Sequence, residues 1–525
     1  MIYLCYVKHI RKFNERERER VCVTITNQPP SRALYLLGGS SSAIPFSYLS
    51  LSLISLSLLS PSLYSPTMAN TDQPTTDSHV AVLAFPFGTH AAPLLSVTRR
   101  LASASPSTLF SFFNTSQSNS SLFPSDLPSN IHVHDVADGV PEGYVFSGRP
   151  QEAIELFLVA APESFREAIA SAENDAGKKV TCMLADAFFW FASDMAAEMK
   201  ATWVAFWTAG PNSLSVHLYT DLIRQSVRVN VDGCMEETLG FISGMEKIRV
   251  KDTPEGVVFG NLDSVFSDTL HKMGLALPRA DAVFINSFEE LDNTLTNNLK
   301  SEFKSYLNIG PLALLSSTSQ ADALVDDPHG CLAWIKKQRT ASVAYISFGT
   351  VMTPPPGELV AIAEGLESSK VPFVWSLKEK NMAQLPKGFL ERTREQGIVV
   401  PWAPQVELLK HEATGVFVTH CGWNSVLESV SGGVPMICRP FFGDQRLNGR
   451  AVEAVWGIGM TIINGVFTRD GFGECLDRVL VQDDGKKMKS NAEKLREQAH
   501  EAVSEKGSSV ENFKGLLEAV VTTLN

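Results

Sequence analysis

The sequence predicts an α/β protein built as two Rossmann-like domains, their parallel sheets facing each other across a cleft. Three observations carry that prediction. Short, continuous apolar runs alternate with helical stretches, which is the pattern of strands covered on both faces. The runs fall into two arrays, separated by a stretch from 312 to 328 that is poor in apolar periodicity and contains Ser316-Ser-Thr-Ser319. The chain of 525 residues is also too long for one ordinary domain.

Composition narrows the function. Hydrophobic residues at 44% and charged residues at 19% are those of a globular protein. A net charge of −12 argues against a nucleic-acid partner, which calls for a basic face. The eight cysteines include no CxxC pair, which suits a reducing compartment, the cytoplasm, and argues against a disulfide scaffold or zinc ribbon.

Residues 1–67 stand apart. They contain Glu15-Arg-Glu-Arg-Glu-Arg20 and Leu49-Ser-Leu-Ser-Leu-Ile-Ser-Leu-Ser-Leu-Leu59, with seven Lys/Arg against three Glu, so residues 68–525 carry −16. A signal peptide or membrane anchor fits poorly, because the apolar run is interrupted by serine and starts far from the N-terminus. A transit peptide fits the Arg and Ser content but not the three Glu. The preferred reading is a translated leader, since a GA repeat encodes Glu-Arg and a CT repeat encodes Leu-Ser, with Met68 opening the working chain. Such composition has little to bury and is expected to be disordered. The expected division is 1–67 leader, 68–311 first domain, 312–330 linker, 331–505 second domain, and 506–525 a helix packing back on the first domain.

In chain order, Val80–Phe85 reads as a buried strand, 86–90 as a loop and Ala91–Ala102 as an amphipathic helix. Val180–Ala185 is the next clear strand, followed by Asp186 and a helix through Met199. The second array runs through Ser342–Phe348, Phe373–Trp375, Ile398–Val400, Val416–Val418 and Met436–Cys438. Ser425-Val-Leu-Glu428 reads as a capping box opening a helix that Gly432-Gly433 ends and Pro435 cannot continue. His90, Asp186, Thr350, His420 and Asp444 each follow a predicted strand, the place where open α/β sheets bind ligands.

The stretch Thr419-His-Cys-Gly-Trp-Asn-Ser425 lies at such a strand-to-helix turn. No further ligands at metal spacing accompany it, and no base is identifiable for Cys421 as a nucleophile. A helix N-terminus offers free N–H groups and a positive dipole end, a site for phosphate, to which His420 and Asn424 add donors.

Residues 402–445, from Trp402-Ala-Pro-Gln405 through Thr419–Ser425 to Pro440-Phe-Phe-Gly-Asp-Gln445, span 44 residues and resemble the plant secondary product glycosyltransferase box. The resemblance covers essentially all of 79–525, and Asp138-Gly-Val-Pro-Glu-Gly-Tyr-Val-Phe146 and Trp207-Thr-Ala-Gly-Pro-Asn-Ser213 are similar to flavonoid 3-O-glucosyltransferases. It implies the GT-B fold, a UDP-sugar co-substrate, no cofactor or metal, and inversion at the anomeric carbon.

Carried over by position, the resemblance makes Trp402 the platform for uracil, with the Ala403 backbone at its edge. Gln405 and Glu428 would hold the ribose, and His420, Asn424 and Ser425 the diphosphate. Trp423, Asp444 and Gln445 would surround the sugar, with Thr208 and Thr350 as further donor contacts. His90 matches the catalytic base and Asp186 the carboxylate that orients it. Phe85, Phe188, Phe266 and Phe442 match aromatic positions of the acceptor pocket, and Gln151 and His217 its polar contacts. Gly88 is a departure, standing where a close flavonoid enzyme carries serine.

These expectations add up to an inverting transfer of glucose from UDP-glucose to the 3-hydroxyl of a flavonoid. The enzyme is expected to be a monomer acting on small molecules, with no nucleic-acid partner and no stable membrane insertion. Galactose as the donor sugar, or another phenolic acceptor, stays open. More remote alternatives are a nucleotide-sugar epimerase, which needs no aromatic acceptor pocket, and a UDP-sugar sensor, which needs no His–Asp pair.

Overall fold

The computed structural model describes residues 78–123, 127–149, 151–227, 229, 232–315 and 326–522. The expected leader, and residues 316–325 of the expected linker, lie outside the described residues. The first sheet holds β1 (His79–Leu83), β2 (Leu109–Thr115), β3 (Ile131–Val136), β4 (Cys182–Asp186), β5 (Thr202–Trp207), β6 (Ala282–Ile285) and β7 (Tyr306–Asn308). The second holds β8 (Val343–Ser347), β9 (Phe373–Ser376), β10 (Gly397–Val400), β11 (Thr414–Thr419), β12 (Met436–Cys438) and β13 (Gly459–Thr461). Their orders are β3-β2-β1-β4-β5-β6-β7 and β10-β9-β8-β11-β12-β13. Every pairing between these strands is parallel.

The inner strands of both sheets are buried on both faces, which is why they read as apolar runs, whereas the edge strand β3, Ile131–Val136, alternates and is partly exposed. Along β1 and just beyond it, Val80, Val82 and Ala84 face a core with Leu94 and Leu101, while Ala81, Leu83 and Phe85 face another with Phe157 and Phe165. β8 divides in the same way, Val343 and Tyr345 to one side, Ala344 and Ile346 to the other.

The strand orders place two crevices. The first sheet reverses direction between β1 and β4, the second between β8 and β11. At such a switch point the crossovers leave in opposite directions and open a gap beyond the carboxyl ends of the strands. His90 and Asp186 lie at the first gap; Thr350 and His420 lie at the second.

Two details differ from the sequence reading. The helix after β1 runs Ala91–Ala104, two residues longer than expected. The capping box at Ser425 and Glu428 is not formed: the helix is Trp423–Gly432, with Gly422 in extended conformation as N-cap. Cys421, at φ 64, turns the chain into the helix early, so Ser425 already lies inside the first turn. The other end is as read, with Gly433 left-handed at φ 65.

After a helix at Asp483–Ala502, the last helix, Ser508–Val521, lies against the first sheet, where Leu516 and Val520 share a core with Val80 and Phe284. Ser509 Oγ donates to the Gly310 carbonyl at 2.6 Å, and Ser78 Oγ to the Val521 carbonyl at 2.7 Å. Among the described residues no helix is long and apolar enough to cross a membrane.

Candidate active site

His90 is the N-cap residue of the helix Ala91–Ala104 and makes no side-chain capping bond. Its Nδ1 lies 2.8 Å from Asp186 Oδ2, and Asp186 is 1% exposed at the end of β4. The other carboxylate oxygen, Oδ1, accepts the Phe188 backbone N–H at 3.0 Å. A carboxylate accepts from an imidazole N–H, so this contact favours the neutral tautomer with the proton on Nδ1 and the lone pair of Nε2 directed elsewhere. Thr208 Oγ1 stands 3.1 Å from the same Nδ1, a contact that was not read from the sequence.

An aromatic wall flanks His90. Phe85 and Phe188 stack at 4.8 Å, each has its ring centroid 5.0 Å from that of His90, and Phe266 continues the wall 6.1 Å from Phe188. Phe87, not singled out in the sequence, joins it at 5.3 Å from Phe85. Gly88 is left-handed at φ 65, with room for a Cβ at ordinary contact, 3.7 Å from His90 Cδ2. The obstacle to serine there is therefore backbone strain, on the order of 1 kcal/mol.

Across the cleft, Trp402, Ala403, Gln405 and Thr350 line a cavity of about 240 Å³, together with Tyr345 and Lys378. Trp402 is 48% exposed. Gln405 Nε2 donates to Ser425 Oγ at 3.1 Å and to Glu428 Oε2 at 2.6 Å, linking the three. Burial pushes the Glu428 carboxyl up from its ordinary range, countered by the Gln405 bond. His420 is wedged between glycines, since a Cβ on Gly349 would stand 2.8 Å from its Cε1 and one on Gly422 2.5 Å from its Nε2. Burial lowers its pKa to about 4, and its buried Nδ1 has no partner. A neutral ring with an uncommitted nitrogen at a helix N-terminus can offer an N–H to an anion.

The remaining residues expected on the donor side divide. Asp444 Oδ2 accepts from Asn448 at 2.8 Å, and burial raises its carboxyl, partly offset by that bond and by His90 across the cleft. Gln445, 5% exposed, uses its carbonyl on the backbone N–H of Phe441 at 2.9 Å and of Phe442 at 3.4 Å. It therefore presents its amide N–H groups alone, not the acceptor and donors together expected from the sequence. Trp423 is 4% exposed and donates Nε1–H to the Asn286 carbonyl at 2.7 Å. Its indole N–H ties the two halves together and is not offered to a sugar. Asn424 faces Asn286 as well, at 3.4 Å.

This two-sided site sits on a fold with close relatives. Residues 82–503 match the family model for UDP-glucoronosyl and UDP-glucosyl transferase. The chain belongs to that family. A flavonol 3-O-glucosyltransferase of Arabidopsis thaliana is 80% identical, covering 86% of this chain and 99% of the relative. A flavonol-3-O-rhamnosyltransferase of the same plant is 70% identical, covering 86% and 98%. The crystal structure of a UDP-glucose:anthocyanidin 3-O-glucosyltransferase in complex with UDP aligns at TM-score 0.79 and 42% identity, covering 85% of this chain and 99% of that one. The fold is GT-B, and this UDP-sugar transferase takes its sugar from a nucleotide co-substrate.

In the transferase the other expected acceptor residues are spread out. Gln151 occupies the N-cap of the helix Glu152–Ala176 and makes no capping bond. His217 is 5% exposed, its ring 5.7 Å from Trp207; burial lowers its pKa to about 4. Phe442 is 41% exposed in the turn between β12 and the helix Gln445–Arg450. Sequence reasoning missed Asn286 and Asn448, whose only signal is an amide after a strand or in a helix. Asn448 Nδ2 also donates to the Cys421 carbonyl at 2.9 Å, bracing the turn before the helix Trp423–Gly432.

Proposed function

We propose that this transferase moves glucose from UDP-glucose to the 3-hydroxyl of a flavonoid, a flavonol or anthocyanidin, and inverts the anomeric carbon. The observation that carries the reading is the His90–Asp186 pair at 2.8 Å, set into an aromatic wall and opposed by Asp444 and Gln445. A flat phenolic ring lies along Phe85 and Phe188, bringing a hydroxyl to His90 Nε2. His90 removes the proton as the oxygen attacks C1 of the sugar from the face opposite UDP. Asp186 stabilises the imidazolium, and the sugar passes through an oxocarbenium-like state. The departing diphosphate is met by the N-terminus of the helix Trp423–Gly432 and by His420. Eight cysteines without paired spacing favour the cytoplasm as the setting.

Overall likeness does not choose the sugar, because a relative 70% identical is a rhamnosyltransferase. The choice is argued from Asp444, which accepts, and Gln445, which donates. Together they complement two neighbouring equatorial hydroxyls of glucose. Galactose, with its axial 4-hydroxyl, leaves one buried partner unpaired at about 1–3 kcal/mol, or about 5- to 150-fold in kcat/KM. Kinetics with UDP-glucose and UDP-galactose on one flavonol, with product regiochemistry read by NMR, test both halves. A 3-O-β-glucoside and a preference for glucose are expected. Equal values for the two donors would remove the pair as a reader of the 4-hydroxyl, and glycosylation at another position would remove the acceptor reading.

A further inference from the structure

Tyr345 lies inside β8 with 1% exposure, its ring stacked on Phe417 of β11 at 5.1 Å. Its ring reads as core, but its hydroxyl reaches the donor cavity and donates to Gln405 Oε1 at 3.1 Å. Burial pushes the phenol up from its ordinary value, so it keeps its proton and stays a donor. From the other side, Gln405 Nε2 donates to Glu428 Oε2 at 2.6 Å and to Ser425 Oγ at 3.1 Å. A primary amide can sit in two orientations, and its neighbours select one. A carboxylate at Glu428 can only accept, which demands the NH₂ group; the tyrosine hydroxyl then finds the carbonyl and donates to it. Three elements, β8, the helix Gln405–Lys410 and the helix Trp423–Gly432, thus meet in one hydrogen-bonded chain. Oε2 of Glu428 is committed within it, and no hydrogen bond to Oε1 is seen among the described residues.

We propose that Tyr345 is a positioning residue for the nucleotide, locking the Gln405 amide so that Gln405 holds the Glu428 carboxylate towards the ribose of UDP. The inference rests on the assignment of Gln405 and Glu428 to the ribose. In Tyr345→Phe the ring and its stacking remain, while the donor to Oε1 and the hydroxyl's contact with Ser347 are lost, freeing the amide to turn and Glu428 to drift. UDP affinity, measured by titration calorimetry well below each variant's melting temperature, is expected to fall about 3- to 10-fold. KM for UDP-glucose should rise by a similar factor, with kcat and the KM for a flavonol little changed.

A double-mutant cycle separates this role from core packing. In a Gln405→Ala background the further change Tyr345→Phe should cost nothing in UDP affinity, because the group through which Tyr345 acts is gone. A penalty that persists undiminished in that background overturns the proposal, as does unchanged UDP affinity in Tyr345→Phe while Gln405→Ala is weakened. Either result leaves the ribose assignment standing. Wild-type UDP affinity in both Gln405→Ala and Glu428→Ala would instead remove that assignment and the positioning role with it.

Discussion

Asp186 has its two oxygens on different partners, and that division makes a sharp prediction at the scale of the residue. Oδ1 holds the Phe188 N–H at 3.0 Å and Oδ2 holds His90 Nδ1 at 2.8 Å. In Asp186→Asn the amide oxygen stays with the Phe188 N–H, so the NH₂ group turns towards Nδ1. The imidazole proton must then move to Nε2, where the lone pair is needed. Turnover is expected to fall about 100- to 10,000-fold, the usual worth of a general base, with little change in acceptor KM. His90→Ala should lose at least as much turnover while binding UDP nearly normally, because the residues proposed to hold the nucleotide stand on the other sheet. Steady-state kinetics and UDP calorimetry on the two variants check this, and near-normal turnover in His90→Ala would sink the assignment. Both residues were legible in the sequence, since each follows an apolar strand and each matches a motif position. The Thr208 contact to His90 Nδ1 was not, because β5 and β1 are far apart in the chain and meet only through β4.

At the scale of the element, the second switch point is a vice around one ring. The loop after β8 supplies Gly349, left-handed at φ 72, and the loop after β11 supplies Gly422, with His420 between them. Gly349→Ala adds a Cβ 2.8 Å from His420 Cε1 and forces an L-residue into the left-handed region. The ring must move away from the helix N-terminus it serves. UDP affinity should drop about tenfold or more, roughly the loss of one charge-assisted hydrogen bond, and the melting temperature should fall as well. Calorimetry with UDP tests it, and unchanged affinity would show that the ring is not set by these glycines. The sequence displayed both glycines and the histidine, yet not that they touch. The misread capping box has the same origin: spacing alone suggested that Ser425 caps its own helix, whereas Gln405 from a different helix takes its hydroxyl.

For the whole molecule, the last helix belongs to the first sheet although it follows the second in sequence. Leu516 and Val520 are fully buried in a helix that packs on β4, β5, β6 and β7, and Arg100 stacks over Phe513 at 4.1 Å. Burying an aliphatic side chain of this size is worth about 1.5–3 kcal/mol. Deleting residues 508–525 from the full chain is expected to lower the melting temperature clearly and to reduce turnover through loss of fold, and a thermal melt checks it. A truncated chain that melts like the full one would show that the helix only rests on the sheet.

The sequence by itself determined the class of architecture, because strands buried on both faces must be apolar throughout and their crossovers must be helical. It determined the motif-bearing loops too, since a catalytic or phosphate-binding residue has to stand just past a strand end. Only the tertiary structure decided which side chains are free. Gln445 has its carbonyl occupied by Phe441 and Phe442, Trp423 has its N–H taken by Asn286, and Tyr345 turns from core residue to partner of Gln405. A hydrogen-bonding group has few places to fill, and whether they are already filled depends on neighbours brought close by packing, which no local pattern records.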